Sequence, residues 1–470
     1  MTRVKILGIA DPAEHRTCDG ELGPKVWCWS DNPLSHACYF LSANLPSKTF
    51  FPNSTVFTYE AGHFWSPTLI LSPSCIVRPT SATDVAKTIK AIQLTNTPFA
   101  VRGGGHMLVR GANSIDHGIL IVLSNLSRIA ISEDRETVQV GPGLRWSDVY
   151  NYLLPFDRAV VGGRIGNVGV PGLLLGGGLS FHSYQYGWAM DNVVEYEVVL
   201  ADGEIVRVGE DAYADLFWAL KGGGANFGIV TNFKLRTVPS IKVLAGGVTV
   251  GEGDIDLLFQ SLAQFISRNK DPLVHILPQA LTPDPRQKSV TLTFFYDSPS
   301  NATPASVVSA TPEGLHSSFS VTWEAYLAAL PELYAAVPAK ALVSVAVYWQ
   351  PIMRLWMEAS KATNPVGNAL GLDPDKGDYL AWAVVVMWNN TAYDEVVMAW
   401  ADDTTVKMND AAKEAGVYDG FKYIGDAAEF NDVFGGYGCE SREKLLHISR
   451  KYDPDRLFQA LMPGGFKIGL

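Results

Sequence analysis

Two glycine-rich strings about sixty residues apart limit what this chain can fold into: VRGGGHM, with His106 directly behind Gly103, Gly104 and Gly105, and GGRIGNVGVPGLLLGGGLS, from Gly162 to Ser180. Glycine has no Cβ, so its backbone N–H groups can close on a large polar ligand and its φ can be positive. Dense glycine in two separate loops therefore points to backbone gripping a pyrophosphate, with the histidine that ends the first loop turned toward the ligand. The bland alternative is that the glycines only make tight turns.

Neither string is a Rossmann fingerprint. That motif needs strand, glycine turn and helix in immediate order, with an acidic residue about 20 positions later. GVPGLLLGGGLSFHSYQYG has no helical period after its glycines, so a dinucleotide would be held another way.

At 470 residues the chain exceeds the size at which one core stops growing, which predicts two domains, one of them interrupted by the other. Apolar residues at 47%, charged residues at 18% and 12 tryptophans describe a globular enzyme with apolar pockets. A net charge of −11 without a local Lys/Arg run argues against nucleic acid and against anionic membranes. No apolar run approaches the ~20 residues of a spanning helix, and the apolar patch in MTRVKILGIADPAEH is too short for a secretory leader. Five cysteines and sequons at Asn53, Asn125, Asn301 and in the Asn389-Asn390-Thr391 stretch would instead suit a secretory route.

Residues before about Tyr39, with Cys18, Cys28 and Cys38, read as irregular. From Ser81 the pattern becomes regular: CIVRP is a strand, SATD a capping box, and Val85, Ile89 and Ile92 share one helical face before TNTP ends the helix. PFAVR returns as the strand that delivers GGGH. GILIVL and ETVQVG read as strands, WSDVYNYLL as a helix ended by Pro155, and VVEYEVVLADGEIVRV as a hairpin with Asp202-Gly203 in a type I′ turn. DAYADLFWALKGGG reads as a helix and NFGIVTNFKLRTVP as a strand. After about Ser240 the composition shifts to Trp, Tyr, Ala and Pro, which reads as a second domain lining an aromatic cavity. The tail from about Gly420 reads as turn, helix and turn.

VRGGGHM, GVPGLLLGGG, GGGANFGIVTNF and KYDPDRLFQ, in that order between about Phe64 and Phe466, together resemble the flavin-linked oxidases of the vanillyl-alcohol oxidase superfamily. The likeness is to its berberine-bridge-enzyme-like, PCMH-type FAD-binding branch, and most of all to fungal members associated with secondary metabolism. The resemblance implies an α+β fold of two domains: an FAD-binding domain from residues 39–237 and 412–470, an inserted antiparallel-sheet substrate domain at 238–411, and an irregular segment at 1–38. It implies that the loop Arg102, Gly103, Gly104, Gly105, His106 and Met107 contacts the pyrophosphate of FAD. His106 would be joined covalently to the dimethylbenzene edge of the flavin, which anchors it and raises its redox potential. Gly166, Val168, Gly169, Gly172, Gly176, Gly177 and Gly178 would flank the ring and phosphates, and Ile229 and Val230 would approach through main-chain groups.

Two departures from the family pattern matter. Many relatives carry a second covalent link through a cysteine in the second loop; that position is Ile165 here, so a single attachment through His106 is expected. Relatives also supply a tyrosine base from an Asn-Tyr pair, or read Asn-Asp-Ala, near the C-terminus; this chain has YIGDAAEF, with Gly425 at the asparagine. Asp426 is then the candidate acid or base, with Tyr423 beside it, against the bland reading of an exposed turn aspartate. Burial against aromatics would raise the Asp426 pKa and suit it to proton transfer near neutral pH. Trp349, Trp382 and Trp388 would line a substrate cavity, although aromatics on strands are commonly plain core. His182 could face the substrate or be a hydrogen-bonded structural residue. Cysteines near Cys38 and Cys75 are bridged in relatives; free buried thiols are the alternative, and the compartment is secretory if that bridge and the sequons are used, otherwise cytoplasmic. No Cys/His cluster has metal-ligand spacing.

The expectation is an FAD-dependent oxidase that takes hydride from a mid-sized natural-product intermediate and passes electrons to molecular oxygen, with or without an ensuing cyclisation. The partners expected are a small-molecule substrate and oxygen, with no nucleic acid, no membrane and a monomeric chain. Two other classes stay open at this point: a flavin-retaining, non-redox isomerase or cyclase, motivated by Gly425 beside Asp426, and a flavin-free binding protein on the same scaffold.

Overall fold

The computed structural model describes residues 3–8, 36–240, 242–282, 288–297 and 313–469. Cys18, Cys28 and Asn301 lie outside these.

The β-α-β unit forms as the periodicity predicts. Strand Cys75–Val77 leads into helix Ala82–Thr95, whose N-cap Ser81 accepts the Asp84 N–H through its side chain, and which ends at Asn96 in the left-handed region. Val85, Ile89 and Ile92 are fully buried, each worth roughly 1.5–3 kcal/mol. Strand Phe99–Arg102 then returns. The two do not pair directly: Ile119–Val122 lies between them, parallel to both, and the short strand Thr49–Phe50 closes the far edge antiparallel to Cys75–Val77. Cys38, on helix His36–Asn44, is disulfide-bonded to Cys75, so the bridge expected from the resemblance is present.

A five-stranded antiparallel sheet follows in the order Ile205–Gly209, Val193–Val199, Ile229–Arg236, Thr137–Val140, Ile129–Ile131. Its first hairpin forms where expected, but the turn is not type I′. Leu200 N–H donates to Glu204 O, Gly203 N–H donates to Leu200 O, and Gly203 has φ +80° while Asp202 is not among the residues of positive φ. That is a three-residue loop, in which only the last position needs the left-handed conformation.

The third sheet is six-stranded and wholly antiparallel: Arg3–Gly8, Tyr379–Trp388, Leu342–Ile352, Val274–Leu281, Ser289–Tyr296, Leu244–Gly251. Arg3–Gly8 was expected to be irregular; it pairs along Tyr379–Trp388 instead, as a neighbouring apolar strand supplies the partner a six-residue segment lacks alone. Helix Glu313–Ala336 packs against helices Ile255–Arg268 and Asp394–Glu414. Between sheet and helices lies an aromatic core of Phe259, Phe319, Trp323 and Trp349. The opposite face of this sheet looks toward the glycine loops. Among the described residues no helix is long and apolar enough to cross a membrane.

Candidate active site

The two glycine strings meet backbone to backbone. The first leaves strand Phe99–Arg102 directly. The second is pinned to the start of helix Trp146–Leu153, where the Trp146 N–H donates to Val168 O and the Ser147 N–H to Gly166 O. A Cβ on Gly104 would lie 2.5 Å from Gly169 Cα, and one on Gly103 would lie 2.4 Å from Pro171 Cγ. Close approach therefore explains these glycines; in the first loop only Gly105 uses a positive φ, at +68°.

Beneath the joined loops is a cavity of about 320 Å³. Of the residues singled out in the sequence, its wall holds Gly103, Gly104, Gly105, His106, Met107, Val168, Gly169, Gly172, Gly176, Ile229, Val230, Tyr423 and Asp426. Residues more than three hundred positions apart thus share one surface. Ile165, 57% exposed, is on the same wall and offers no thiol.

The His106 ring stacks on Trp65 with centroids 4.3 Å apart, and its Nε2 is buried with no hydrogen-bond partner. Burial, helped by the Arg145 charge, lowers its pKa to about 4, so the imidazole is neutral and nucleophilic at pH 7. Tyr423 accepts the Gly178 N–H at 3.2 Å through its hydroxyl, and burial raises its pKa. The Tyr423 ring folds back on Gly425, where a Cβ would lie 2.5 Å from Cε1. That contact leaves no room for a larger residue at position 425 with the ring in place. Asp426 is half-buried rather than an exposed turn residue; burial raises its pKa to about 6, against the opposing pull of the Arg164 guanidinium.

Several expected residues lie elsewhere. The Arg102 guanidinium turns away from the cavity to pair with buried Glu60 and sits 4.6 Å over Phe64, so its side chain fixes the strand end against helix Thr55–Gly62. Gly166 is spent on the Ser147 contact. Gly177 and Gly178, at φ +119° and +89°, shape the seat of Tyr423 and are behind the wall. Trp349 and Trp382 are cross-strand partners and hence on one face, and Trp349 lies under the helices, donating to Thr322 Oγ1. Trp382 lines a separate cavity of about 110 Å³, and Trp388 is buried and bonded to Asp394. Their sheet neighbours Tyr348 and Gln350 point to the glycine-loop side instead, because side chains alternate along a strand. His182 bonds Asp297 through Nδ1 at 2.9 Å and packs edge-on against Phe295, off the cavity wall.

Sequence reasoning passed over Arg164, Trp65, Phe458, Met462 and Lys467. For Arg164 a signal existed: it is the only Asp, Glu, Lys or Arg between Arg158 and Asp191. A lone cation in such an apolar, glycine-rich run must face something polar.

FAD fits these residues on two observations. His106 is on the cavity wall and keeps a ring nitrogen, Nε2, without a hydrogen-bond partner. Gly172, inside helix Val170–Leu175, would place a Cβ with no protein atom within 4 Å, so the space it leaves open belongs to the cavity and not to packing. A flavin cradle of this kind, between a mixed β-α-β layer and an antiparallel sheet, defines a flavoprotein of the vanillyl-alcohol oxidase fold. Solved structures agree on the fold: a xylooligosaccharide oxidase from Myceliophthora thermophila (TM-score 0.71, 18% identity, 90% of this chain and 98% of that one) and a berberine-bridge-enzyme-like protein from Physcomitrella patens (TM-score 0.68, 18%, 89% and 97%). A glucooligosaccharide oxidase from Acremonium strictum, with 6-S-cysteinyl, 8α-N1-histidyl FAD, has TM-score 0.70 at 18% identity over 90% of this chain and 98% of that one.

Residues 73–209 match the FAD binding domain family. An FAD-dependent monooxygenase of Penicillium roqueforti is 33% identical over 92% of this chain and 94% of its own, and one of Emericella nidulans is 31% identical over 92% and 98%. The chain belongs to the family of FAD-dependent oxidoreductases that includes these fungal FAD-dependent monooxygenases.

Proposed function

We propose that this oxidoreductase is an oxidase that converts an alcohol or amine carbon of a mid-sized, largely apolar natural product to the carbonyl or imine level, with dioxygen as electron acceptor. The observation that carries the reading is that Asp426 and His106 are on the wall of one cavity. His106 would hold FAD through a ring nitrogen as its single covalent attachment, since Ile165 offers no thiol. Gly103, Gly104, Gly105, Gly169 and Gly172 would let the cofactor approach the backbone, with Ile229 and Val230 on the same cavity wall.

FAD, when bound, supplies the hydride acceptor and the route by which two electrons reach dioxygen as hydrogen peroxide. Asp426 takes the proton from the substrate hydroxyl or amine as hydrogen leaves the neighbouring carbon with its bonding pair; the C=O or C=N bond forms from the electrons the proton leaves behind. With a pKa near 6, its carboxyl is mostly ionised at pH 7 and weakly enough acidic to give the proton back. Tyr423, held by the Gly178 N–H, closes the cavity beside it and stays a neutral phenol.

Anaerobic mixing of the purified protein with oxidisable alcohols and amines tests the reading. Substrate-dependent bleaching of the visible flavin band, restored by air with one peroxide per turnover, is the expected result. Turnover without bleaching would overturn oxidation and leave acid–base isomerisation. Incorporation of an oxygen atom from dioxygen into product would make the chain a monooxygenase, the activity named for its relatives.

A secretory route is favoured by the Cys38–Cys75 disulfide and by exposed Asn53, Asn125 and Asn389 in sequons. Endoglycosidase treatment of the protein from its native host should then shift its mass.

A further inference from the structure

We propose that Arg164 is the recognition site for a carboxylate on the substrate. The proposal rests on the oxidase reading only in taking the cavity as the place where substrate binds.

Arg164 is on the cavity wall with Asp426 and Tyr423. Its Nη1 donates to Gln350 Oε1 at 2.6 Å and lies 3.4 Å from His275 Nε2, and its Cζ sits 5.8 Å from the Phe181 ring centroid. Gln350 and His275 are themselves buried, at 5% and 1% exposure. The group is therefore held rigidly from the substrate-domain side, across sheet and loop. Among the described residues, no carboxylate forms an ion pair with it and no hydrogen bond reaches Nε or Nη2; the Asp426 carboxyl is near enough to feel its charge but makes no direct contact. A guanidinium stays charged, and moving it out of water without a directly paired counter-ion is costly. The two nitrogens left over are the side-on pair whose parallel N–H groups match the two oxygens of a carboxylate. A phenolate, with one oxygen, would use only half of that fork.

The chemistry needs no step beyond binding. A carboxylate seated on Nε and Nη2 would fix which substrate carbon comes to the flavin and how far it lies from Asp426. It would also explain why Arg164 is kept with its side-on pair unused on a cavity wall made mostly of glycine and apolar residues, with Asp426, Tyr423 and Lys467 among its few polar members.

The test uses the flavin-loaded protein and simple probes: benzoate and cinnamate, their amides, and 4-nitrophenol, each titrated while the visible flavin spectrum is recorded. Carboxylates are expected to perturb the spectrum and to bind at least about tenfold more tightly than the matching amides. Arg164→Gln should abolish that preference, and Arg164→Lys should keep part of it. Equal binding of acid and amide by the wild type, preference for the phenol, or no spectral response to either carboxylate would overturn the proposal. If Arg164→Gln loses its flavin, the wild-type comparison of acid with amide still decides. Binding is read without turnover, so a protein that takes carboxylates but never bleaches would sink the oxidase reading and leave this one standing.

Discussion

The indole of Trp65 stacks on the imidazole of His106, centroids 4.3 Å apart and planes 23° from parallel, while the Trp65 N–H donates to Gly105 O in the same loop. The backbone bond fixes the indole and the indole fixes the ring plane, so the imidazole is presented in one orientation. Attachment of a flavin requires a ring nitrogen to meet a ring-edge carbon in line, and an aromatic pair of this kind is worth about 0.5–1.5 kcal/mol. Trp65→Ala should therefore slow covalent incorporation by roughly two- to tenfold, and Trp65→Phe should restore most of it. Intact-mass time courses after adding FAD to flavin-poor protein measure this; an unchanged rate in Trp65→Ala would remove the indole from the process.

Attachment itself is the simplest point to check. Denatured wild-type protein should carry one FAD-sized adduct, and His106→Ala none. Two attachments would contradict the inference from Ile165. A colourless wild type would contradict the flavin assignment altogether.

Asp426 predicts a pH profile. Its folded-state pKa of about 6 means that the carboxylate form rises as pH passes upward through 6. A base works only when deprotonated, so turnover should climb across that range and level off above pH 7. Asp426→Asn should lower kcat by about 10²–10⁴, lose the limb near 6 and retain its flavin. A variant with full turnover, or the same limb in the variant, would assign the proton transfer to another group.

How far the molecule was legible in advance depended on how local each signal was. Helix Ala82–Thr95 and strand Phe99–Arg102 were readable because cap, periodicity and stop lie within some twenty residues, and burial obeys the same period. YLAWAVVVMW is apolar at every position, so nothing in it says which face meets the helices; the tryptophans were assigned to the cavity and lie on the other side. The I′ turn at Asp202-Gly203 failed by one residue of loop length, which sequence does not register. Arg164 was missed because its anchor Gln350 is 186 positions away, brought near only by the packing of the two sheets.

Asp84 ties helix Ala82–Thr95 to the chain before it, accepting Lys48 Nζ at 2.5 Å and both the N–H and hydroxyl of Thr80 at 2.9 Å. Burial alone would raise its pKa, but these hydrogen bonds outweigh it and hold the value to about 2. A carboxyl whose folded pKa is depressed contributes stability above its unfolded value, near 4, and loses it as pH falls toward 2. Asp84→Ala should cost roughly 1.5–3 kcal/mol at pH 7, a gap that narrows below about pH 4. Urea midpoints of both proteins at neutral and acid pH decide it; a gap independent of pH would mean that packing, and not the charge, is lost.

Two glycines on the cavity separate packing from cofactor contact. A methyl group on Gly104 would strike the Gly169 backbone at 2.5 Å, so Gly104→Ala should part the two loops and lower both thermal stability and flavin content. On Gly172 the same methyl meets no protein atom within 4 Å, and in helix Val170–Leu175 alanine is favoured over glycine by roughly 0.5–1 kcal/mol. Gly172→Ala should therefore fold at least as stably as the parent and still lose flavin, because the methyl occupies the cofactor's space. Melting temperature of the flavin-poor protein and the visible-to-ultraviolet absorbance ratio after FAD loading give the two readouts. If Gly172→Ala takes up flavin like the wild type, the cofactor does not pass along that helix, and the cradle must be redrawn on the side of His106 alone.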